Sequence, residues 1–324
     1  YFSSFIAKGA SVEIVFLLFT LLTLGIIFAG VRNGVERVSR MMMPVLVVLS
    51  VIIAAYSVTR PGALEGVKYF LVPNPANFSW MTVVAAMGQM FYSLSIAMGI
   101  LVTFGSYMKK DVAIEGSTEN VEIFDTLIAM MAGLMIIPAV FSFSGGDPDT
   151  LQAGPALMFI TIPKVFESME LGSLVGVLFF VLVLFAAVTS SIALTESAVS
   201  TFEDELGWSR KKAAAVIGII MVLLGSLSAL GYGPLSGVTV IGMQFLDFFD
   251  FLTNSVMMPI AAIATCLLVT SVIGVEKIEE EVTRNGQPFR RKKIFNFMIR
   301  ALCPVFAAII LVSSVANALG WISM

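Results

Sequence analysis

Apolar residues arrive along this chain in runs of about 20, the length that crosses a bilayer as an α-helix. Eight such runs predict eight spans, over 12–31, 41–59, 82–107, 122–144, 172–201, 212–231, 237–273 and 295–319. The seventh is too long for a simple upright span, and its first half carries Asp247, Asp250 and Asn254. That pattern predicts a half that projects into an aqueous vestibule. Between runs, only the segment 145–171 is both long and exterior, and it mixes Gly and Pro with Phe159, Ile160 and Ile162. A solvated linker has no need of those apolar residues. Two readings remain: a surface helical hairpin, or a lid that dips into the exterior vestibule.

Composition sharpens the picture. Of the 324 residues, 58% are apolar and 13% charged, against roughly 45–50% and about 25% in soluble domains. A globular protein cannot bury that much apolar surface and still cover itself with polar groups. A soluble domain, a disordered chain and a nucleic-acid binder are excluded. Histidine is absent, and Cys266 and Cys303 sit in apolar runs without partner spacing. That argues against a histidine triad, a zinc site or a disulfide framework. With no paired intramembrane aspartates either, the chain does not read as an enzyme.

Charge placement sets orientation. Fifteen of the 19 basic residues fall on one side, in the loops after spans one, three, five and seven. By the positive-inside rule that side is cytoplasmic. The segment 145–171 and the C-terminus then lie outside a cell inner (plasma) membrane, and 274–294 is a solvated cytoplasmic loop. The first residues, YFSSFIAKGASVE, have neither the basic start nor the cleavage site of a signal peptide. They are expected to be a loop entered midway in a C-terminal fragment of a longer protein.

Polar residues inside the runs are the candidates for function, because lipid tolerates them poorly. The third run gathers Gln89, Tyr92, Ser93, Ser95 and Gly99 at its middle. A break there would free carbonyls for a cation and aim a half-helix N-terminus at an anion. The bland alternative is an unbroken helix with small residues at a packing face. Asp125, just inside span four, either snorkels or is buried and needs a cation or a proton. Thr189, Ser190 and Ser191 in span five bond back to the preceding turn, or offer the hard oxygens that suit Na⁺. Glu196 follows them. Gly34 and Pro44 lie at the cytoplasmic end of span two. Gly and Pro cost about 1 and about 3 kcal/mol in a helix interior, so the pair marks a turn that can unwind, or simply a helix start.

The stretches GQMFYSLSIAMG, AGPALMFITIPKVF, AAVTSSIALTES followed by FEDELGWSRKK, and DFFDFLTNSV carry a resemblance. In this order and spacing, the chain resembles the neurotransmitter:sodium symporters, in their bacterial amino-acid branch. The resemblance implies an all-α integral membrane bundle of the LeuT fold, with family helices four to eleven present and the first three missing. It implies a single, partial transporter domain. Its activity would be sodium-coupled symport of amino acids by alternating access. Ser93 and Asp125 would serve the first of two Na⁺ sites, and the Ala186 carbonyl with the Thr189 and Ser190 hydroxyls the second. Phe91, Tyr92, Ser95, Met98, Ser190 and Leu194 would line the substrate pocket. With Phe91, Met98 and Leu194 there, an apolar or aromatic amino acid is favoured. Asp250 resembles the acid of the outer gate and Asp204 that of the inner gate, where Tyr107 packs. Gly34 and Pro44 match the pair flanking the segment that unwinds. Ala129 stands where chloride-dependent members have a serine, and Asp125 adds a fixed negative charge nearby, so no chloride is expected. The competing reading is a membrane scaffold or assembly subunit that keeps the fold without transport. The oligomeric state stays open, a homodimer included.

Overall fold

The computed structural model describes residues 2–147, 151, 154–284 and 286–321. Among them the chain is helical, with only an isolated bridge between Val240 and Met243. In order come α1 (Phe2–Ile6), α2 (Gly9–Phe28), α3 (Arg37–Val58), α4 (Ala63–Leu71), α5 (Trp80–Ser93), α6 (Ile100–Ser106), α7 (Ile114–Ser144) and α8 (Gly154–Ala156). They are followed by α9 (Ile162–Glu167), α10 (Gly172–Leu206), α11 (Arg210–Leu230), α12 (Phe245–Asp250), α13 (Met258–Leu267), α14 (Val275–Thr283), α15 (Lys292–Phe297) and α16 (Cys303–Ala318). π-Helical turns join several of them, over Val31–Glu36, Leu157–Thr161, Phe251–Met257, Leu268–Ile273 and Met298–Leu302.

Among the described residues, seven helical stretches are long and apolar enough to cross a membrane. A lipid-spanning segment must satisfy its own backbone, which helices do without partners. The sequence predicts eight. The difference is the run 82–107, which forms the 14-residue α5 and the seven-residue α6, each too short alone. The run 41–59 begins earlier than its hydropathy suggests, because Val31–Glu36 is already helical. The run 237–273 is helical only from Phe245, after turns that contain the Val240–Met243 bridge. The segment 274–294, read as a loop, contains α14, which buries Val275 and Val282.

The described residues form two compact units. The first comprises the chain up to Asn77, Phe124–Thr195 and Trp208–Val222. Its core takes Leu46, Leu49 and Ile53 from α3, Met135, Ala139 and Val140 from α7, and Val175, Phe179 and Leu182 from α10. Ile162, Val165 and Phe166 of α9 complete it. Within 145–171, α8, a π turn and α9 therefore make a helical arm seated on this core, and residues 148–150 and 152–153 lie outside the described residues. Two close contacts fix neighbouring helices. A Cβ on Gly66 would stand 2.8 Å from the Pro138 Cα, and the Ser142 hydroxyl donates to the Pro61 carbonyl at 2.7 Å.

The second unit comprises Phe78–Ile123, Glu196–Gly207 and the chain from Leu223 onward. Glu115 and Glu122 of α7 secure its segment 290–291. Glu115 accepts from the Arg290 and Arg291 backbone N–H groups at 2.9 and 2.8 Å, and Glu122 from the Arg291 guanidinium at 2.8 Å.

Candidate functional site

The break between α5 and α6 is the most unusual backbone in the second unit. Ser79 caps α5 reciprocally with Thr82, at 3.2 and 3.3 Å. The helix then runs to Ser93 and stops. Ser95, Ala97 and Gly99 have φ values of 54°, 63° and 79°. This is the left-handed region, which costs a non-glycine residue roughly 1–2 kcal/mol. Turn bonds replace the helical ladder: the Ser95 N–H donates to the Tyr92 carbonyl at 3.0 Å and the Ile96 N–H to the Phe91 carbonyl at 3.1 Å. Among the described residues, no hydrogen bond reaches the carbonyls of Leu94, Ile96 and Ala97. Non-helical backbone inside an apolar run is tolerated where it is buried in protein or lines a cavity.

A cavity does lie against it. Its volume is about 320 Å³, and Phe91, Ser95 and Gly99 form its wall together with Thr265, Cys303 and Phe306. Of the predicted pocket residues in this unit, Phe91 and Ser95 therefore share a cavity. Tyr92 is 52% exposed and, like Met98, does not line it. Ser93, the predicted first-site sodium ligand, is the last residue of α5.

Below the break, α6 meets the C-terminal half of α10 along a polar seam. A Cβ on Gly99 would stand 2.6 Å from the Ser197 Oγ, so only glycine fits this approach, and its positive φ requires it as well. The Thr103 hydroxyl reaches the Ser197 Oγ at 3.4 Å. The Tyr107 hydroxyl donates to Glu196 Oε1 at 2.8 Å. Glu196 is fully buried, and a buried carboxylate is tolerable only with partners. Sequence reasoning named Glu196 but gave it no role. Its signal was present, since an ionisable side chain deep in an apolar run marks a site by default. Ser197 and Thr103 carried no such signal, because buried hydroxyls commonly bond to their own helix.

The predicted gate acids are on the surface of this unit. Asp204 is exposed near the end of α10. Asp250 is exposed at the end of α12 and accepts from the Asn254 amide at 2.5 Å. On the same segment Asp247 accepts from the Tyr232 hydroxyl at 2.8 Å. Burial first, then this bond, pushes the Tyr232 phenol up to about 12.

In the first unit, the Thr189 hydroxyl donates to the Ala186 carbonyl at 3.0 Å and also to that of Phe185 at 3.0 Å. The Thr189 hydroxyl thus bonds back to the preceding turn of its own helix, the first of the two readings of this stretch. Ser190 is exposed beside it. Ser191 is engaged elsewhere, with its hydroxyl 3.0 Å from that of Thr23 on α2. Leu194, one turn on, is 49% exposed. Asp125 is half-buried on α7.

Gly34 is buried in the π turn before α3, and Pro44 is exposed inside α3. A Cβ on Gly34 would stand 2.0 Å from the Ile26 carbonyl oxygen. The glycine is there for close backbone approach, which neither reading of the sequence included. π turns concentrate at functional sites.

The chain matches the sodium:neurotransmitter symporter family over residues 2–320. It is 34% identical to YhdH, a sodium-dependent transporter of Bacillus subtilis, over 96% of this chain and 68% of that protein. A sodium-dependent transporter of Haemophilus influenzae is 30% identical over 93% of this chain and 65% of its own length. The crystal structure of MhsT in complex with L-phenylalanine superposes with a TM-score of 0.82 at 34% identity. That match covers 97% of this chain and 70% of MhsT. The chain thus spans about two thirds of the length of these relatives.

Proposed function

The chain belongs to the sodium:neurotransmitter symporter family, and from that premise we propose that it forms the larger part of a sodium-coupled amino-acid symporter. Its substrate is an apolar or aromatic amino acid. It works by alternating access in the cell inner (plasma) membrane and does not need chloride. Family helices four to eleven supply the ligands named below. The observation that carries this reading is the α5–α6 break: Ser93 closes α5, and Ser95, Ala97 and Gly99 hold left-handed backbone beside an apolar cavity. Irregular backbone of this kind supplies oxygens to a cation and the end of a half-helix to an anion.

In the mechanism, Na⁺ binds first and steadies the outward-open state. Ser93 and Asp125 contribute to the first site. The Ala186 carbonyl and the Thr189 and Ser190 hydroxyls contribute to the second, where neutral oxygens suit a hard monovalent cation. The amino acid's carboxylate joins the first ion's shell, which makes the coupling a reciprocal free energy between ion and substrate. The resemblance assigns Phe91, Ser95 and Met98 to the amino acid's side chain and Tyr92 to its cover, and of these Phe91 and Ser95 line the cavity beside the break. L-phenylalanine, the amino acid in the MhsT structure, is the first substrate to test. Asp250 closes the outside, and Asp204 and Tyr107 close the inside. Asp125 stands in for a bound anion, with Ala129 where a chloride-binding serine would be.

Equilibrium binding of radiolabelled L-phenylalanine to the full-length protein tests this reading. Binding should rise with sodium, and Ser93→Ala and Thr189→Val should each raise the sodium concentration required. Binding indifferent to sodium in all three proteins would contradict it.

A further inference from the structure

The corner where α2 turns into α3 is held by a side chain from a distant part of the sequence. Arg210, the first residue of α11, places Nε and Nη2 on the Ile27 carbonyl at 3.2 and 3.0 Å. Ile27 has no exposed surface. The preceding carbonyl, Ile26, is the one against which Gly34 packs, with room for no Cβ. The Ile27 carbonyl also accepts from the Gly30 N–H at 3.0 Å, so the guanidinium adds to a backbone bond at the point where α2 ends. The π turn opens on a shared acceptor. The Gly34 and Val35 N–H groups share the Gly30 carbonyl, at 2.9 and 3.2 Å, and Gly30 has a φ of 90° with no side-chain cap.

Arginine at the first position of α11 is unfavourable for that helix's own dipole, whereas a cation is favoured at the C-terminal end of α2. The neighbouring Lys212 lies over the Trp208 ring, 4.0 Å from its centroid, and so does not compete for the same carbonyl. A planar guanidinium can hold one oxygen through two donors, which an ammonium cannot match.

We propose that Arg210 is the positioning residue of this corner: its guanidinium fixes the end of α2 and so keeps the π turn around Gly34 closed. Resting on the symporter reading above, this closure sets how readily the second-site sodium leaves toward the cytoplasm. Loss of the guanidinium loosens Val31–Glu36 without touching a sodium or substrate ligand.

Hydrogen exchange on the full-length protein tests this directly. Amides over 30–36 should exchange about tenfold faster in Arg210→Gln, and Arg210→Lys should fall between it and the native protein. Amides around Ile53, in the α3 core, should keep native protection in both variants. In proteoliposomes the Gln variant should release sodium inward faster. Native exchange over 30–36 in both variants overturns the proposal, as does protection lost equally around Ile53. Native uptake that ignores sodium would instead overturn the symporter reading, and the exchange result would still decide the role of Arg210.

Discussion

The Tyr107 hydroxyl donates to Glu196 Oε1 at 2.8 Å, and the carboxylate it meets is wholly buried. The pair ties the end of α6 to α10 at the residue next to Ser197, which Gly99 approaches. Removing the donor with Tyr107→Phe leaves the buried carboxylate one partner short and should cost about 1–3 kcal/mol, whereas Glu196→Ala leaves a phenol that is 39% exposed and can turn to water, and should cost less. Glu196→Gln keeps an acceptor and should cost less than Ala. Unfolding of the single and double variants in detergent measures the coupling. Strictly additive effects would show that the two side chains act independently.

Two glycines of the α2–α3 corner should respond very differently to alanine. Gly34→Ala drives a methyl to 2.0 Å from the Ile26 carbonyl oxygen. A backbone atom cannot rotate away, so the loss should be about 3 kcal/mol or more. Gly30→Ala meets open space and suffers only from its backbone, φ 90° and ψ 172°, about 1–3 kcal/mol. Thermal unfolding should rank the two in that order, and equal losses would argue against close approach as the reason for Gly34.

Tyr232 provides a pH readout outside the spans. Burial and the Asp247 hydrogen bond raise its phenol from 10.0 to about 12. A raised folded-state value means that the stabilisation is fully present below pH 10, the unfolded value, and is lost as pH rises through about 12. A difference titration of phenolate absorbance against Tyr232→Phe should show the raised midpoint. Asp247→Asn should bring it down but not back to the ordinary value, because burial persists. A midpoint indifferent to Asp247 would remove the hydrogen bond from the explanation.

Asp125 is expected to link ion, substrate and anion dependence. Asp125→Ala should weaken sodium and amino-acid binding together, since coupling is reciprocal. In the native protein, replacing chloride with gluconate should leave uptake unchanged. Uptake that collapses in gluconate would show that Asp125 does not take the place of the anion.

Much of this architecture is legible in the sequence, for a simple reason. Lipid allows few backbones, so runs of apolar residues translate almost directly into helices. The break near Ser93–Gly99 is also legible, as a cluster of small and hydroxyl residues where an apolar helix has no need of them. What hydropathy misses is contact between distant segments. It does not show that Gly34 lies against Ile26, that Arg210 reaches Ile27, or that Tyr107 meets Glu196. It also places Ile162, Val165 and Phe166 in a connecting segment although they belong to a core. In each case the partner lies in another element, and periodicity within one helix carries no information about it. Asp204 and Asp250 are legible as acids near span ends, but both are exposed, and their gating roles come from family resemblance alone.

Sodium-coupled transport is the activity proposed for the full-length protein. Its most direct test is uptake of radiolabelled L-phenylalanine by the full-length protein in proteoliposomes, with an inward sodium gradient against an equal potassium gradient. Accumulation above equilibrium is expected with sodium and none with potassium. Sodium-independent uptake, or none for any apolar or aromatic amino acid in protein that is folded, would contradict it and favour a fold retained as a membrane scaffold.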